Sequence, residues 1–309
     1  MRIACIGEGM IEIAEVAGNP TLAHLGYGGD TLNTALYLAR LLACADGDHS
    51  AAYITRLGDD PYSASMLESW RAQGVKCDLI AREKGRVPGL YAVHLDDNGE
   101  RRFSYWRAQA PVREMFEGAD GAGLIARLND FDGIFFSGIT LAILRRQGRG
   151  RLLDLAGAMA AKGRTVAFDT NYRARLWEDD DARAANAAAL RAATVALPSA
   201  EDLAGLFGDA VSDWADFLNT FDIPEIVLKH GGDAVDVFAD GMWRRVALGK
   251  IAHPLDTTAA GDSFNAGYLA ARIVGRAPID AVAPAHALAG AVIGHRGAII
   301  PIEAMPAIF

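Results

Sequence analysis

Apolar residues in this chain recur with two periods, and the two alternate for most of its length. Short β-branched or apolar runs predict strands near residues 2–7, 51–56, 76–80, 133–137, 165–169, 194–197 and 226–229. Between them, Thr31–Leu42, Pro61–Gln73, Ile143–Lys162 and Ala182–Ala193 carry helix-type spacing or strings of Ala and Leu. Asp60-Pro61 marks a helix start, because a carboxylate can cap the first turn and proline there gives up no needed donor. Alternation of this kind predicts a mostly parallel, doubly wound sheet covered on both faces, an α/β fold built as a three-layer α/β/α sandwich. Residues 1–309 are expected to form a single domain.

Two stretches break the alternation. Ile11–Val16 with Leu22–Tyr27, and Leu90–Leu95 with Arg101–Arg107, read as strand pairs, the second joined through Asp97-Asn98-Gly99, a strong hairpin signal. They predict a small β-sheet lid built from about residues 11–27 and 88–108. Such a sheet leaves an edge or face to be covered, and lids from two copies could cover each other, so a homo-oligomer through the lid is expected.

Composition narrows the function classes. A hydrophobic content of 51% can fill a substantial core, and no apolar run approaches the roughly 20 residues needed to cross a bilayer. Neither an export signal nor a membrane partner is expected. Cys5, Cys44 and Cys77 lie far apart, which argues against a disulfide framework and fits a reducing cytoplasm. A formal net charge of -9 with no dense Lys/Arg run argues against nucleic acid.

The segment richest in chemistry is Asp256-Thr257-Thr258-Ala259-Ala260-Gly261-Asp262-Ser263-Phe264-Asn265-Ala266-Gly267. Small residues open an apolar helix there, so first-turn amides and the helix dipole converge on one spot suited to an anion. Asp262 at the rim is placed to take a hydroxyl proton. An isolated Gly-Asp pair is ordinarily a helix cap. Its neighbours along the chain change that reading.

The segment resembles the C-terminal signature of the PfkB (ribokinase-like) carbohydrate kinases, with Ala259 where the first glycine of Gly-Ala-Gly-Asp is usual. Gly28-Gly29-Asp30-Thr31-Leu32-Asn33-Thr34-Ala35 resembles the family's sugar-binding turn, in which Gly29, Asp30 and Asn33 would meet hydroxyl groups. Asp169-Thr170-Asn171-Tyr172-Arg173 resembles its Asp-x-Asn-x-Arg strand end, and Lys229-His230-Gly231-Gly232-Asp233-Ala234 its nucleotide loop. Ser199-Ala200-Glu201-Asp202 stands where many members carry Asn-x-x-Glu.

The resemblance covers nearly the whole chain and implies a ribokinase-like fold that phosphorylates a small molecule with ATP and Mg. Asp262 would be the base and Ala259, Ala260 and Gly261 the anion hole. Asn171, Arg173, Ser199, Lys229, Gly231, Gly232 and Gly261 would contact the nucleotide. Asp202 would hold magnesium through water, and Asp256 with Thr258 would sit beside a monovalent cation such as potassium. Within the family the likeness is greatest to the branch acting on 2-keto-3-deoxygluconate. A carboxylate on the substrate suits paired N–H donors of a guanidinium, from Arg107 or Arg173. Tyr91, Tyr105 and Ile139 would line the same site.

Rival chemistries fit less well. Ile6-Gly7-Glu8-Gly9 follows the first strand, but Glu12 occupies the next glycine position of a dinucleotide fingerprint. A P-loop and the protein-kinase signatures are absent, and no Cys/His spacing suits zinc. Fructokinase, ribokinase, nucleoside kinase and a silent sugar sensor remain as alternatives; a sensor would need neither base nor lysine.

Overall fold

A computed structural model describes residues 1–16, 19–95, 101–177, 181–208, 211–251 and 254–308. The chain begins with β1 (Arg2–Ile6), β2 (Met10–Val16), β3 (Asn19–Gly28), α1 (Asp30–Leu42), β4 (Ser50–Ile54), β5 (Arg56–Gly58), α2 (Pro61–Ala72), β6 (Ala81–Glu83), β7 (Leu90–Leu95) and β8 (Arg101–Trp106). It continues through α3 (Gly118–Leu128), β9 (Gly133–Ser137), α4 (Gly138–Ile143), α5 (Arg146–Ala160), β10 (Thr165–Asp169), α6 (Asp181–Ala192), β11 (Val195–Ala196), α7 (Ala200–Phe207) and α8 (Trp214–Asn219). It closes with β12 (Glu225–His230), β13 (Ala234–Ala239), β14 (Met242–Ala247), α9 (Ala260–Ile273) and α10 (Val282–Ile293).

Eight strands form the main sheet in the order β14-β13-β12-β11-β10-β9-β1-β4, parallel from β4 to β12 and finished by an antiparallel hairpin. Successive residues of its strands point into different cores. Ile3, Cys5, Phe135, Ala167 and Val227 pack with α1, α2, α9 and α10, whereas Ala4, Ile6, Ile134, Phe136, Val166, Phe168, Ile226 and Leu228 join the opposite cluster. Burial on both faces is why these strands read as continuous apolar runs rather than alternating ones.

The chain leaves β1 for β4 on one side and later returns to β9 on the other. Crossovers reverse direction between β1 and β9, and ligands in open α/β sheets collect beyond the carboxyl ends of strands at such a point. Glu8, Ser137, Asp169 and Lys229 all lie at or just past those ends.

The lid is a four-stranded sheet in the order β3-β2-β7-β8, the two expected pairs joined by a parallel β2–β7 seam. The Asp97-Asn98-Gly99 turn lies outside the described residues. Two expectations are corrected. Residues 76–80 form a turn with one bridge, Ala52 to Lys76, because only Tyr53 N–H to Lys76 O and Lys76 N–H to Ala51 O tie it to β4 before the chain bends. The helix expected over Ile143–Lys162 is α5 and starts only at Arg146, since Leu144 turns extended at φ -67°, ψ 138° after the short helix α4, which was not expected.

Candidate active site

One cavity of about 910 Å³ runs along the carboxyl ends of the strands and under the lid. It is lined by Gly29, Asp30, Asn33, Tyr91, Tyr105, Arg107 and Ile139 at one end, and by Asn171, Arg173, Ser199, Asp202, Lys229, Gly231 and Gly232 at the other. Ala259 to Asp262 form the floor between them. Of the residues expected from sequence, Asp256 alone is not part of the lining; its carboxylate oxygens accept from Thr258 N at 3.0 Å and Gly297 N at 2.6 Å, which fixes the loop behind α9.

Helix α9 begins at Ala260 after a left-handed Ala259, φ 60° and ψ 16°. The amide of Ala260 bonds Thr257 O at 3.2 Å, so it is taken by the turn, and the amides of Gly261 and Asp262 are the ones without a helical acceptor. The left-handed conformation is costly for alanine, by roughly 1–2 kcal/mol. Ala259→Gly is therefore expected to stabilise the fold by about 0.5–1 kcal/mol after glycine's greater unfolded-state entropy is counted. A denaturant midpoint that stays put or falls would contradict this account of the turn.

Asp262 accepts Asn33 Nδ2 at 2.8 Å, and its carbonyl accepts Thr34 Oγ1 at 3.1 Å, so α1 and α9 are bonded at Asp262. Burial holds the Asp262 carboxyl well above the ordinary carboxylate range, and Asp30 and Asp169 push it further, while Asn33 and Lys229 pull it down. Asp30 is also raised, first by burial, against a bond from Ser137 Oγ. Asn171, at a left-handed φ of 24°, donates Nδ2 to Asp30 at 3.0 Å. This bond joins the segment after β10 to the turn that opens α1. Asn33 Oδ1 is buried and has no partner among the described residues, a polar atom left for a ligand.

The glycines of the turn are required by close approach. A Cβ on Gly29 would meet the Glu8 carbonyl oxygen at 2.1 Å, and one on Gly28 would meet the Tyr91 hydroxyl at 2.3 Å. That hydroxyl donates to Glu12, which together with burial raises its pKa strongly. Tyr91 and Tyr105 stack with centroids 5.9 Å apart, and Arg107 is ion-paired to the buried Glu8. The charge of Arg107 is thus already balanced within the protein, though its Nε is a buried donor without a partner among the described residues.

At the other end Lys229 Nζ lies 3.3 Å from Asp169 Oδ1 and 3.1 Å from Asn265 Oδ1, and Asn265 Nδ2 closes the triangle on Asp169 Oδ2 at 2.8 Å. Gly231 takes a φ of 60°, the left-handed bend by which the loop after β12 turns under the cavity. Ser199 caps α7 by accepting Asp202 N at 3.0 Å. Asp202 accepts Tyr172 N at 3.0 Å and Thr170 Oγ1 at 3.2 Å and lies 3.6 Å from Arg173; burial raises its pKa, Asp169 adds to this, and Ser199, Lys229 and Arg173 oppose it. Beyond the loop, Val235, Leu248, Ile251, Phe264, His286 and Ala289 make an apolar shelf.

Sequence reasoning missed Glu8, Asn265 and Arg175 as lining or supporting residues. Asn265 carried a signal, because it stands one helical turn after Asp262 and so shares its face. Among the described residues no group of three or more His, Cys, Asp or Glu is arranged to hold a metal.

Known proteins show the same pattern. The model of the pfkB family of carbohydrate kinases matches residues 1–305. A 2-dehydro-3-deoxygluconokinase of Dickeya dadantii is 42% identical, over 99% of this chain and 99% of its own. The fold of the crystallised 2-dehydro-3-deoxygluconokinase from Thermotoga maritima superposes with a TM-score of 0.79 at 22% identity, covering 97% of this chain and 94% of that one. A protein of Escherichia coli assigned as ribokinase II, in complex with ATP and Mg²⁺, gives a TM-score of 0.81 at 20% identity, over 99% and 96% of the two chains. With the family model spanning nearly every residue and a full-length relative above 40% identity, this chain belongs to the pfkB family of carbohydrate kinases.

Proposed function

We propose that the protein transfers the γ-phosphoryl group of ATP to the 6-hydroxyl of 2-keto-3-deoxygluconate (2-dehydro-3-deoxygluconate), giving the 6-phosphate and ADP. The observation that carries this reading is Asp262, set at the start of α9 between a hydroxyl-binding turn and a lysine-bearing loop within one cavity. The name borne by the Dickeya relative supports the substrate.

In the proposed reaction the substrate oxygen attacks the γ-phosphorus, its proton passes to the Asp262 carboxylate, and the bond to the ADP oxygen breaks. Phosphoryl transfer asks the protein mainly for positioning and charge stabilisation. Gly29, Asp30 and Asn33 would hold hydroxyls, with Tyr91, Tyr105 and Ile139 as walls and Arg107 and Arg173 as donors. The amides of Gly261 and Asp262, the helix dipole and Lys229 would meet the transferring charge. Ser199, Gly231 and Gly232 would contact the nucleotide.

Magnesium commonly keeps several waters and binds one or two carboxylates plus substrate phosphates, and the half-buried Asp202 beside Asp169 fits such a role. Bound there with ATP, it would neutralise phosphate charge. Asp256 and Thr258 would flank a monovalent cation behind the anion hole. A homo-oligomer formed through the lid, in the cytoplasm, completes the proposal.

A coupled assay with 2-keto-3-deoxygluconate, 2-keto-3-deoxygalactonate, fructose, ribose and adenosine tests it. The expected result is a kcat/KM for the first that exceeds those for the three uncharged acceptors by about a hundredfold or more, since buried donors left unpaired reject a substrate lacking the matching group. Equal turnover of fructose would overturn the substrate; no turnover of any acceptor would overturn the activity.

A further inference from the structure

Among the described residues four arginine and lysine side chains line the cavity, and three of them already face a carboxylate. Arg107 is paired with Glu8, Lys229 with Asp169 at 3.3 Å and Arg173 with Asp202 at 3.6 Å. The fourth, Arg175, lies in the short turn after β10. Among the described residues it makes no ion pair; its guanidinium carbon sits 4.3 Å from the centre of the Tyr105 ring.

That contact leaves its donors free. Stacking on an aromatic face uses the guanidinium's flat side, whereas its N–H groups point outward in the plane. Tyr105 belongs to the lid strand β8 and Arg175 to the main domain, so the stacked pair spans the mouth of the cavity at its sugar end. Held by its flat side, the fork is oriented before any ligand arrives, and a carboxylate accepts two parallel N–H bonds from such a fork.

The charge balance points the same way. Asp30, Asp262 and Asp169 all line this cavity, so an anionic substrate must enter beside acidic side chains. A guanidinium whose charge is cancelled by a protein carboxylate does little to offset them; one without a counter-ion does most.

We infer that Arg175 is the specificity-determining residue for an acidic sugar: it takes the substrate carboxylate in a two-bond contact while stacked on Tyr105, and so ties the lid to the main domain when substrate is bound. This inference rests on the sugar-acid reading above. It assigns to Arg175 the selectivity that sequence had suggested for Arg107 or Arg173.

The test compares wild type, Arg175→Ala and Arg175→Lys on 2-keto-3-deoxygluconate and on the neutral ketose that carries a hydroxymethyl group in place of the carboxylate. Loss of a bidentate, charge-assisted contact should raise KM for the acid about thirtyfold in Arg175→Ala, with kcat changed by less than about threefold and KM for the neutral sugar by less than about threefold. Arg175→Lys should recover only part of the loss, because an ammonium offers a point charge without the planar fork. A wild-type enzyme with no preference for the acid overturns the sugar-acid reading and this inference together. Acid preference intact in Arg175→Ala overturns the inference alone. Equal rises in KM for both sugars would mean that Arg175 only latches the lid, and would overturn it as well.

Discussion

Replacing Asp262 with asparagine is expected to lower kcat by about a thousandfold, within the range for loss of a general base, and at the same time to make the folded protein more stable. Both effects have one source. Burial and the charges of Asp30 and Asp169 raise the Asp262 carboxyl above its ordinary range, so the ionised form needed for catalysis is the form the fold disfavours. A carboxyl raised in the folded state contributes stability that is fully present below its unfolded pKa, about 3.9, and is lost as pH rises through the higher folded value. At neutral pH wild type has therefore lost stability that this carboxyl contributes at low pH, a loss the amide variant does not suffer, while Asn33 can still donate to the amide oxygen. The variant should unfold at higher temperature at pH 7, and this advantage should shrink as the pH is lowered toward 4. The kcat/KM of wild type should fall on the acid side through a pKa above that of a free carboxylate. Turnover retained within tenfold would remove Asp262 as base, and a lower midpoint at pH 7 would contradict the electrostatic account.

The fold was largely legible because both faces of its parallel strands are buried, which writes each strand as an unbroken apolar run. β13 and β14 were not read, although Asp240-Gly241 between them is a hairpin turn whose residues both take positive φ, 53° and 75°. Their strands escaped notice because β14 is half exposed and carries Arg244 and Arg245, which masks the apolar alternation. The start of α5 was placed three residues early, and α4 before it was missed, for another reason. Leu144 is buried on the face a continuous helix would bury, so spacing alone does not mark the break that Arg145 introduces.

The site was legible where a local motif sets backbone geometry and illegible where distant segments meet. Gly29, Asp262 and Lys229 announce themselves through turns and helix starts. Glu8 and Arg107, ninety-nine positions apart, form a pair that no window of sequence contains. The bond from Asn171 to Asp30, across 141 positions of sequence, is equally hidden from any local reading. Arg175 looks like one of many surface charges until the fold lays it on Tyr105.

Lys229→Met should lower kcat by about a hundredfold or more, and the pH dependence of what remains should identify why. The lysine side chain is 12% exposed and that of Asp169 6%, so removing the cation strands a buried carboxylate, at a cost of about 3 kcal/mol in stability. Lys229 lowers the Asp262 and Asp202 carboxyls, whereas Asp169 raises both. Without the lysine, Asp262 should stay protonated to higher pH, and the acid limb of kcat/KM should move upward. Adding Asp169→Asn removes the stranded charge: stability should return in part and the acid limb should move back down, with Asn265 still in place to bond the new amide. Turnover should not return, because the charge that meets the transferring phosphoryl group is still missing. Recovery of kcat in the double variant would mean that Lys229 acts only to neutralise Asp169. An acid limb that stays fixed through the series would show that Asp262 does not sense this pair and would break the electrostatic link between the nucleotide loop and the base.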